Sequence, residues 1–122
     1  MEYLKIKNFK DLMIWQSSVD LTKEIYLLTK NFPSDELYGL VSQIRRASVS
    51  VASNIAEGYM RRNKNEFKRF LHIALGSFAE LETQLIITGR LDYIDKNNQQ
   101  PFDKIHEINR MIMGLINKVK QK

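Results

Sequence analysis

The feature that most constrains this sequence is a set of apolar repeats that alternate steps of four and three residues. The longest repeat runs without interruption through Phe67, Leu71, Ala74, Phe78, Leu81 and Leu85. This spacing keeps apolar side chains on one face of an α-helix, and no segment alternates as a β-strand does. Only five glycines and two prolines interrupt the 122 residues. We therefore expect a few long helices.

Four segments carry this pattern, and each predicts a helix. The predicted helices cover about residues 9–31, 35–57, 64–88 and 99–120. Asn8 and Asn63 are suitable N-cap residues, Pro33 ends the first helix, and Gly58 suits the left-handed position after the second. Because short connections join antiparallel neighbours, the sequence predicts an all-α, up-down-up-down four-helix bundle that forms a single domain over residues 1–122.

Composition excludes several classes of protein. The chain has no cysteine, which excludes disulfides, thiol nucleophiles and cysteine-ligated metal sites. No run approaches the roughly 20 apolar residues of a membrane span, and residues 1–10 lack the apolar core of a signal peptide. We therefore expect a cytoplasmic protein with no membrane partner.

Motifs for catalysis and metal binding are almost absent. His106-Glu107 begins like a zinc-binding His-Glu-x-x-His helix, but residue 110 is an arginine. Glycine-rich nucleotide loops and nucleophile elbows are missing as well. The sequence therefore predicts no metal, no cofactor and no enzymatic activity. The enzymatic alternative is a ribonuclease that uses Arg69 and His72, which lie one helical turn apart.

The strongest functional signal is a basic run between the second and third predicted helices. Residues 60–70 carry five cations and one carboxylate, a net +4 within a protein of net +5. Clustered cations bind phosphates, and the N-terminus of the third helix favours anions too. We predict that this corner, supported by an arginine pair on the second helix, binds RNA or structured nucleic acid. The predicted contacts are Arg45, Arg46, Arg61, Arg62, Lys64, Lys68 and Arg69. The alternative function is a protein–protein adaptor whose basic rim docks an acidic partner such as a polymerase.

The second and third predicted helices carry more apolar residues than one bundle needs. Each has about two apolar faces, and a large exposed apolar face promotes aggregation, so we predict self-association. Gly76 within the third helix favours close approach of another backbone. Asn54 lies within an apolar face, where a buried amide is costly unless it is paired. The expected contacts between helices or subunits are Asn54, Glu57, Gly76, Ser77 and Glu80.

Several strings in the chain resemble the 23S rRNA intervening-sequence proteins, a family of four-helix-bundle proteins. The resemblance covers about residues 9–91. It is carried by Trp15-Gln16, Phe32-Pro33, Glu36-Leu37-Tyr38-Gly39-Leu40, Gln43-Ile44-Arg45-Arg46-Ala47, Asn54-Ile55-Ala56-Glu57-Gly58 and the stretch from Gly76 to Gln84. The main departure is Phe78, where the family pattern has a smaller aliphatic residue.

The resemblance implies properties that the residues alone do not. It implies a bundle that assembles into a homopentameric barrel, whereas the residues predict only more than one copy. Members of the family are bacterial, some are encoded within 23S rRNA genes, and no enzymatic activity is attached to them. A distantly similar protein of diversity-generating retroelements forms a pentamer that binds nucleic acid and a reverse transcriptase. The family's arginines carry over onto Arg45 and Arg46, whereas the Arg61–Arg69 cluster is inferred from charge.

Overall fold

A computed structural model of the protein describes residues 6–121 and the side chains of residues 6–119. Over this range it contains no strand and four α-helices: α1 (Met13–Thr29), α2 (Ser42–Met60), α3 (Lys64–Arg90) and α4 (Gln100–Gln121). Helices α1 and α3 each pack against α2 and α4, and α2 and α3 make the most extensive pairing. The predicted antiparallel four-helix bundle is confirmed. Residues 1–5 and 122 of the predicted domain lie outside the described residues.

The core is built from one apolar face of each helix. The α3 repeat from Phe67 to Leu85 is buried at every predicted position. The sequence of α1 has two apolar stripes, and the structure buries the one that contains Ile14, Leu21 and Ile25, whereas Val19 and Tyr26 of the other are exposed. On α4 the buried face consists of Ile105, Ile108, Ile112, Ile116 and Val119, with Leu115 half-buried.

The first helix begins later than predicted. Residues Phe9–Asp11 form a 3₁₀ turn, which the extended residue Leu12 separates from α1. The side chain of Asn8 accepts a hydrogen bond from the Lys10 amide at 3.0 Å. Asn8 is therefore a cap, as predicted, but it caps this short turn and not α1.

The segment before α2 also differs from the predicted helix over 35–57. A 3₁₀ turn at Ser34–Glu36 is followed by a π-helical turn at Leu37–Val41, and Gly39 has non-helical backbone angles. The Glu36 carboxylate accepts a hydrogen bond from the Leu40 amide at 3.4 Å and another from the Tyr93 hydroxyl at 2.9 Å. Glu36 thus ties the kink to the connection that follows α3.

The predicted left-handed role of Gly58 is wrong. Helix α2 continues to Met60, no described glycine has a positive φ, and Arg62 takes the left-handed conformation with φ 52°. Gly58 is instead a buried helical residue, and a Cβ placed on it would lie 2.4 Å from the Cβ of Phe70. The glycine is needed because α2 and α3 approach closely at this level.

Helix α3 starts as predicted. The Asn63 side chain accepts a hydrogen bond from the Glu66 amide at 2.9 Å, which satisfies a backbone donor in the first turn. Within the described residues, α3 is the one helix long and apolar enough to cross a membrane, and 44% of that apolar window is buried in the bundle. Because core helices pass the same test, this property is weak evidence for a membrane span.

Candidate nucleic-acid interface

The predicted basic residues converge at the corner between α2 and α3. The connection between the two helices is only Arg61 to Asn63, because Arg62 turns the chain with a left-handed backbone and Asn63 then caps α3. This tight turn brings the last turn of α2 beside the first turns of α3. We use the name basic corner for Arg61, Arg62, Lys64, Lys68 and Arg69.

Two arginines of the basic corner are held in place by Glu66 and Phe70. Arg69 makes a bidentate pair with Glu66, with both N···O distances at 3.1 Å. Arg61 lies 3.6 Å from the same carboxylate and 3.0 Å from Glu57. The guanidinium carbons of Arg61 and Arg69 also lie 5.1 and 4.6 Å from the centre of the Phe70 ring. These contacts orient both guanidinium groups while about half of each side chain stays exposed.

The acidic partners change the electrostatics of this corner. The hydrogen bond from Arg69 is the main reason that the pKa of Glu66 lies below its ordinary value. Glu66 is therefore ionised at neutral pH and compensates part of the arginine charge. The fold also adds Glu57, which lies outside the sequence window of residues 60–70 and pairs with Arg61. The basic corner and these two carboxylates carry a net charge of +3.

Arg62 has a role that the sequence did not indicate. Its Nη1 donates to the backbone carbonyl of Ile6 at 3.3 Å, and its guanidinium lies 4.9 Å from the centre of the Tyr59 ring. The buried Tyr59 hydroxyl donates to the same carbonyl. The side chains of Tyr59 and Arg62, at the end of α2 and in the connection after it, thus hold the N-terminal segment against the basic corner. No motif could have revealed this contact, which joins residues more than 50 positions apart.

The remaining predicted cations lie in different settings. Lys64 and Lys68 are half-buried on the first turns of α3, and Arg46 is exposed on α2. Arg45 instead braces α1 against α2. Its Nε donates to the Thr29 hydroxyl at 3.0 Å, and its guanidinium carbon lies 4.5 Å from the centre of the Tyr26 ring. The structure therefore brings Arg61, Arg62, Lys64, Lys68 and Arg69 together at one corner. Arg45 and Arg46 lie in the first turns of α2, at the opposite end of that helix.

Four of the five residues predicted to join helices or subunits fall into two groups, and the fifth, Glu57, pairs with Arg61 as described above. The first forms a polar contact between α2 and α3: the Asn54 amide donates to the Ser50 carbonyl and hydroxyl at 2.8 and 2.9 Å, and the hydroxyls of Ser50 and Ser77 are 2.8 Å apart. This contact pairs the amide of Asn54 as expected. The second group, Gly76 and Glu80, is exposed on α3, and a Cβ on Gly76 would meet nothing within 4 Å.

The two histidines lie on different helices, and both are exposed. His72 lies on α3 one turn after Arg69, whose Nε and Nη2 donate to Glu66. His106 lies 3.0 Å from Glu82 and joins α4 to α3. No group of three or more metal-ligating side chains occurs in the part of the chain that the structure describes.

Part of the apolar surplus predicted for the middle helices is buried inside the bundle. Phe70 packs against Gly58, and Leu75 is half-buried. Ile73, Ile86 and Ile87 keep 40–45% of their surface exposed. Further exposed apolar side chains lie on the other helices and at the kink, among them Met13, Leu27, Val49, Tyr38 and Met113.

The architecture and this corner together define a class: a small antiparallel four-helix bundle with a cluster of oriented arginines at one helix–helix corner. The family model described as 23S rRNA-intervening sequence protein matches residues 10–114. The chain therefore belongs to the 23S rRNA-intervening sequence protein family, and the resemblance noted in the sequence is confirmed. No curated protein matches the chain.

Proposed function

We propose that the protein is a non-enzymatic homo-oligomer that binds RNA or structured nucleic acid through its basic corner. The observation that carries this proposal is the pair of arginines held between Glu66 and the Phe70 ring. A guanidinium that is already oriented loses little entropy when it binds phosphate, and arginine can bind phosphate through two hydrogen bonds. Membership of a family whose description refers to 23S rRNA also favours RNA as the ligand.

The chemistry of the corner favours recognition of charge and shape. Arginine and lysine are the residues that contact phosphates, and such contacts position a protein without reading a base sequence. The α2–α3 connection is only three residues long, which is too short to enter a groove deeply. Binding should therefore depend steeply on salt and weakly on sequence.

Self-association would multiply each weak phosphate contact. A ring of copies repeats the basic corner, so that one long nucleic acid can contact several corners at once. The residues that support such a contact are the exposed Ile73 and Ile87 and the open surface over Gly76. From the family resemblance we expect five copies, so light scattering should give about five times the 14.4 kDa of one chain. A monomeric mass would contradict this part of the proposal.

An RNA-binding titration across a salt series tests the proposed function. The wild-type protein should bind a structured RNA, and the affinity should fall steeply between 50 and 200 mM salt, as is typical of about six or more phosphate contacts. Replacing Arg61, Arg62 and Lys64 with alanine should weaken binding at every salt concentration and flatten the salt dependence.

A matched control removes the same number of cations elsewhere. Arg90, Arg110 and Lys23 are exposed and lie away from the basic corner, so their alanine variant should keep most of the affinity. Equal losses in both triple variants would show that only net charge matters. A salt-independent affinity, or no binding by the wild type, would refute the proposed function. If a protein partner is instead retained from nuclease-treated lysate through the same corner, the adaptor function takes its place.

A further inference from the structure

Three segments that are distant in sequence end at the same end of the bundle. In an up-down-up-down bundle, the start of α1, the α2–α3 corner and the end of α4 share one end. Ion pairs fix the register of α4 against its two neighbours. Lys104 Nζ lies 3.2 Å from Glu24 of α1, and His106 Nε2 lies 3.0 Å from Glu82 of α3.

Helical rise then places Lys118 level with the basic corner. Lys118 follows His106 by 12 residues, about 18 Å along α4, and the same distance from Glu82 along the antiparallel α3 reaches Phe70. The corresponding step of 14 residues from Glu24 passes the start of α1 at Met13 and reaches the 3₁₀ turn that contains Lys10. Val119 is buried in the core, so this last turn of α4 is packed on the bundle.

The N-terminal segment is fixed at the same end. The carbonyl of Ile6 accepts hydrogen bonds from Tyr59 and Arg62, as described above. Lys7 is the next residue along the chain and is exposed. Because its backbone is held beside the guanidinium of Arg62, its ammonium group extends the cationic surface beyond the basic corner.

The two ends of the bundle therefore differ in charge. We use the name basic end for eight cations and three carboxylates, a net charge of +5: Lys7, Lys10, Arg61, Arg62, Lys64, Lys68, Arg69 and Lys118, with Asp11, Glu57 and Glu66. Counted to the same depth of six residues into each helix, the opposite end has six cations and six carboxylates, a net charge of 0: Lys30, Arg45, Arg46, Arg90, Lys96 and Lys104, with Glu24, Asp35, Glu36, Asp92, Asp95 and Asp103.

The aromatic residues of the basic end are already used in packing. Tyr59 and Phe70 are buried, and the rings of Phe9 and Trp15 contact each other edge to face at 5.4 Å. Proteins that bind single strands place successive bases on exposed aromatic rings along a groove. Among the described residues, the basic end has no such platform. It presents cations spread over a face about two helices wide, roughly 20 Å.

We propose that the whole basic end is a docking face for the phosphate backbone of double-helical RNA, with Lys7, Lys10 and Lys118 as further contacts. This inference rests on the proposed function and extends it from one corner to three chain segments and one ligand class. Double-helical RNA is recognised mainly through phosphates and shape, which suits a broad cationic face without stacking surfaces.

The test compares a triple variant, Lys7→Ala, Lys10→Ala and Lys118→Ala, with the wild type on a short RNA duplex and on a single strand of equal length. The wild type should prefer the duplex. The variant's slope of log affinity against log salt should be shallower by up to about 2.7, which is about 0.9 for each lost phosphate contact. The matched control, Lys23→Ala, Lys30→Ala and Lys96→Ala, removes three exposed lysines outside the basic end and should keep the wild-type slope.

Each outcome decides the inference. If the triple variant matches the control while the alanine variant of Arg61, Arg62 and Lys64 loses affinity, the larger face is refuted and the basic corner stands. If the single strand binds as tightly as the duplex, the ligand class is wrong. If the wild type binds neither RNA, the proposed function fails and the inference fails with it.

Discussion

Replacing Gly58 with alanine tests whether the contact between α2 and α3 is as close as the structure indicates. The new Cβ would lie 2.4 Å from the Cβ and 3.1 Å from the Cγ of Phe70. Carbon atoms normally pack about 3.5 to 4.0 Å apart, so more than 1 Å of movement is required. The Phe70 Cβ is attached to the α3 backbone and cannot rotate away. The two helices must therefore separate.

The expected cost combines two opposing effects. Overpacking a buried contact costs about 1–3 kcal/mol, whereas replacing glycine in a helix with alanine gains up to about 1 kcal/mol. Gly114→Ala isolates the second effect, because a Cβ at that exposed position meets nothing within 4 Å. The free energy of unfolding should therefore be lower for Gly58→Ala than for Gly114→Ala by about 1–3 kcal/mol.

Thermal and urea unfolding at one protein concentration provide the measurement, since any self-association makes stability depend on concentration. For a chain of 122 residues, each 1 kcal/mol shifts Tm by about 4 °C. The two variants should then differ by about 4–12 °C. If Gly58→Ala is as stable as Gly114→Ala, the close approach of α2 and α3 is wrong, and with it the position of Phe70 beneath the two arginines.

Four further variants test the polar contacts and the exposed surface. Ser77→Ala should lower the free energy of unfolding by about 1 kcal/mol in urea titrations, because it removes the bond between Ser50 and Ser77; an unchanged midpoint would contradict that role. Glu66→Gln removes the negative charge but keeps a side-chain oxygen that can accept from Arg69, so it should tighten RNA binding and steepen its salt dependence; weaker binding by a folded variant would contradict this prediction. Tyr93→Phe should remove from an absorbance titration a tyrosine that titrates above the ordinary tyrosine pKa, because the hydrogen bond to Glu36 raises the pKa of Tyr93. Because the pKa of Tyr93 is raised in the folded protein, the hydrogen bond to Glu36 stabilises the fold while Tyr93 is protonated. This stabilisation is lost as the pH rises through the folded-state pKa of Tyr93. The variant lacks this bond, so it should lose less stability than the wild type at alkaline pH. Gly76→Ala should leave a lone bundle equally or more stable, because the added Cβ meets open space; a smaller mass in light scattering would instead place Gly76 at a subunit contact.

The helices could be predicted because their apolar spacing is a local property of the sequence. The α3 repeat and its Asn63 cap follow from residues only three or four positions apart, and the structure confirms both. The kink at Gly39 could not be predicted in this way. It depends on Glu36, whose carboxylate binds Tyr93 from a distant part of the chain. The role of Gly58 could not be predicted for the same reason. The residue whose position requires a glycine there is Phe70, which lies on another helix.

The candidate site was predictable in position but not in detail. The run of cations in residues 60–70 located the corner, since consecutive residues at a tight turn stay together in any fold. Counting charges along the chain missed Glu57, which pairs with Arg61 one turn away. It also gave Arg45 the same role as the corner residues, although Arg45 bonds to Thr29 and packs on Tyr26. Both differences arise from partners outside the basic run.

The helix dipoles distinguish the cations of the basic end that they stabilise from those that they do not. A helix C-terminus favours cations, so Arg61 at the end of α2 and Lys118 near the end of α4 are stabilising where they lie. A helix N-terminus disfavours cations by a few tenths of a kcal/mol or more within its first turn, where Lys64 lies; Lys68 follows in the second turn of α3, where the effect is smaller. The dipole favours carboxylates there, such as Glu66. The phosphate ligand proposed above would draw on both features, because the same N-terminal dipole that disfavours lysine adds to the attraction of lysine for an anion.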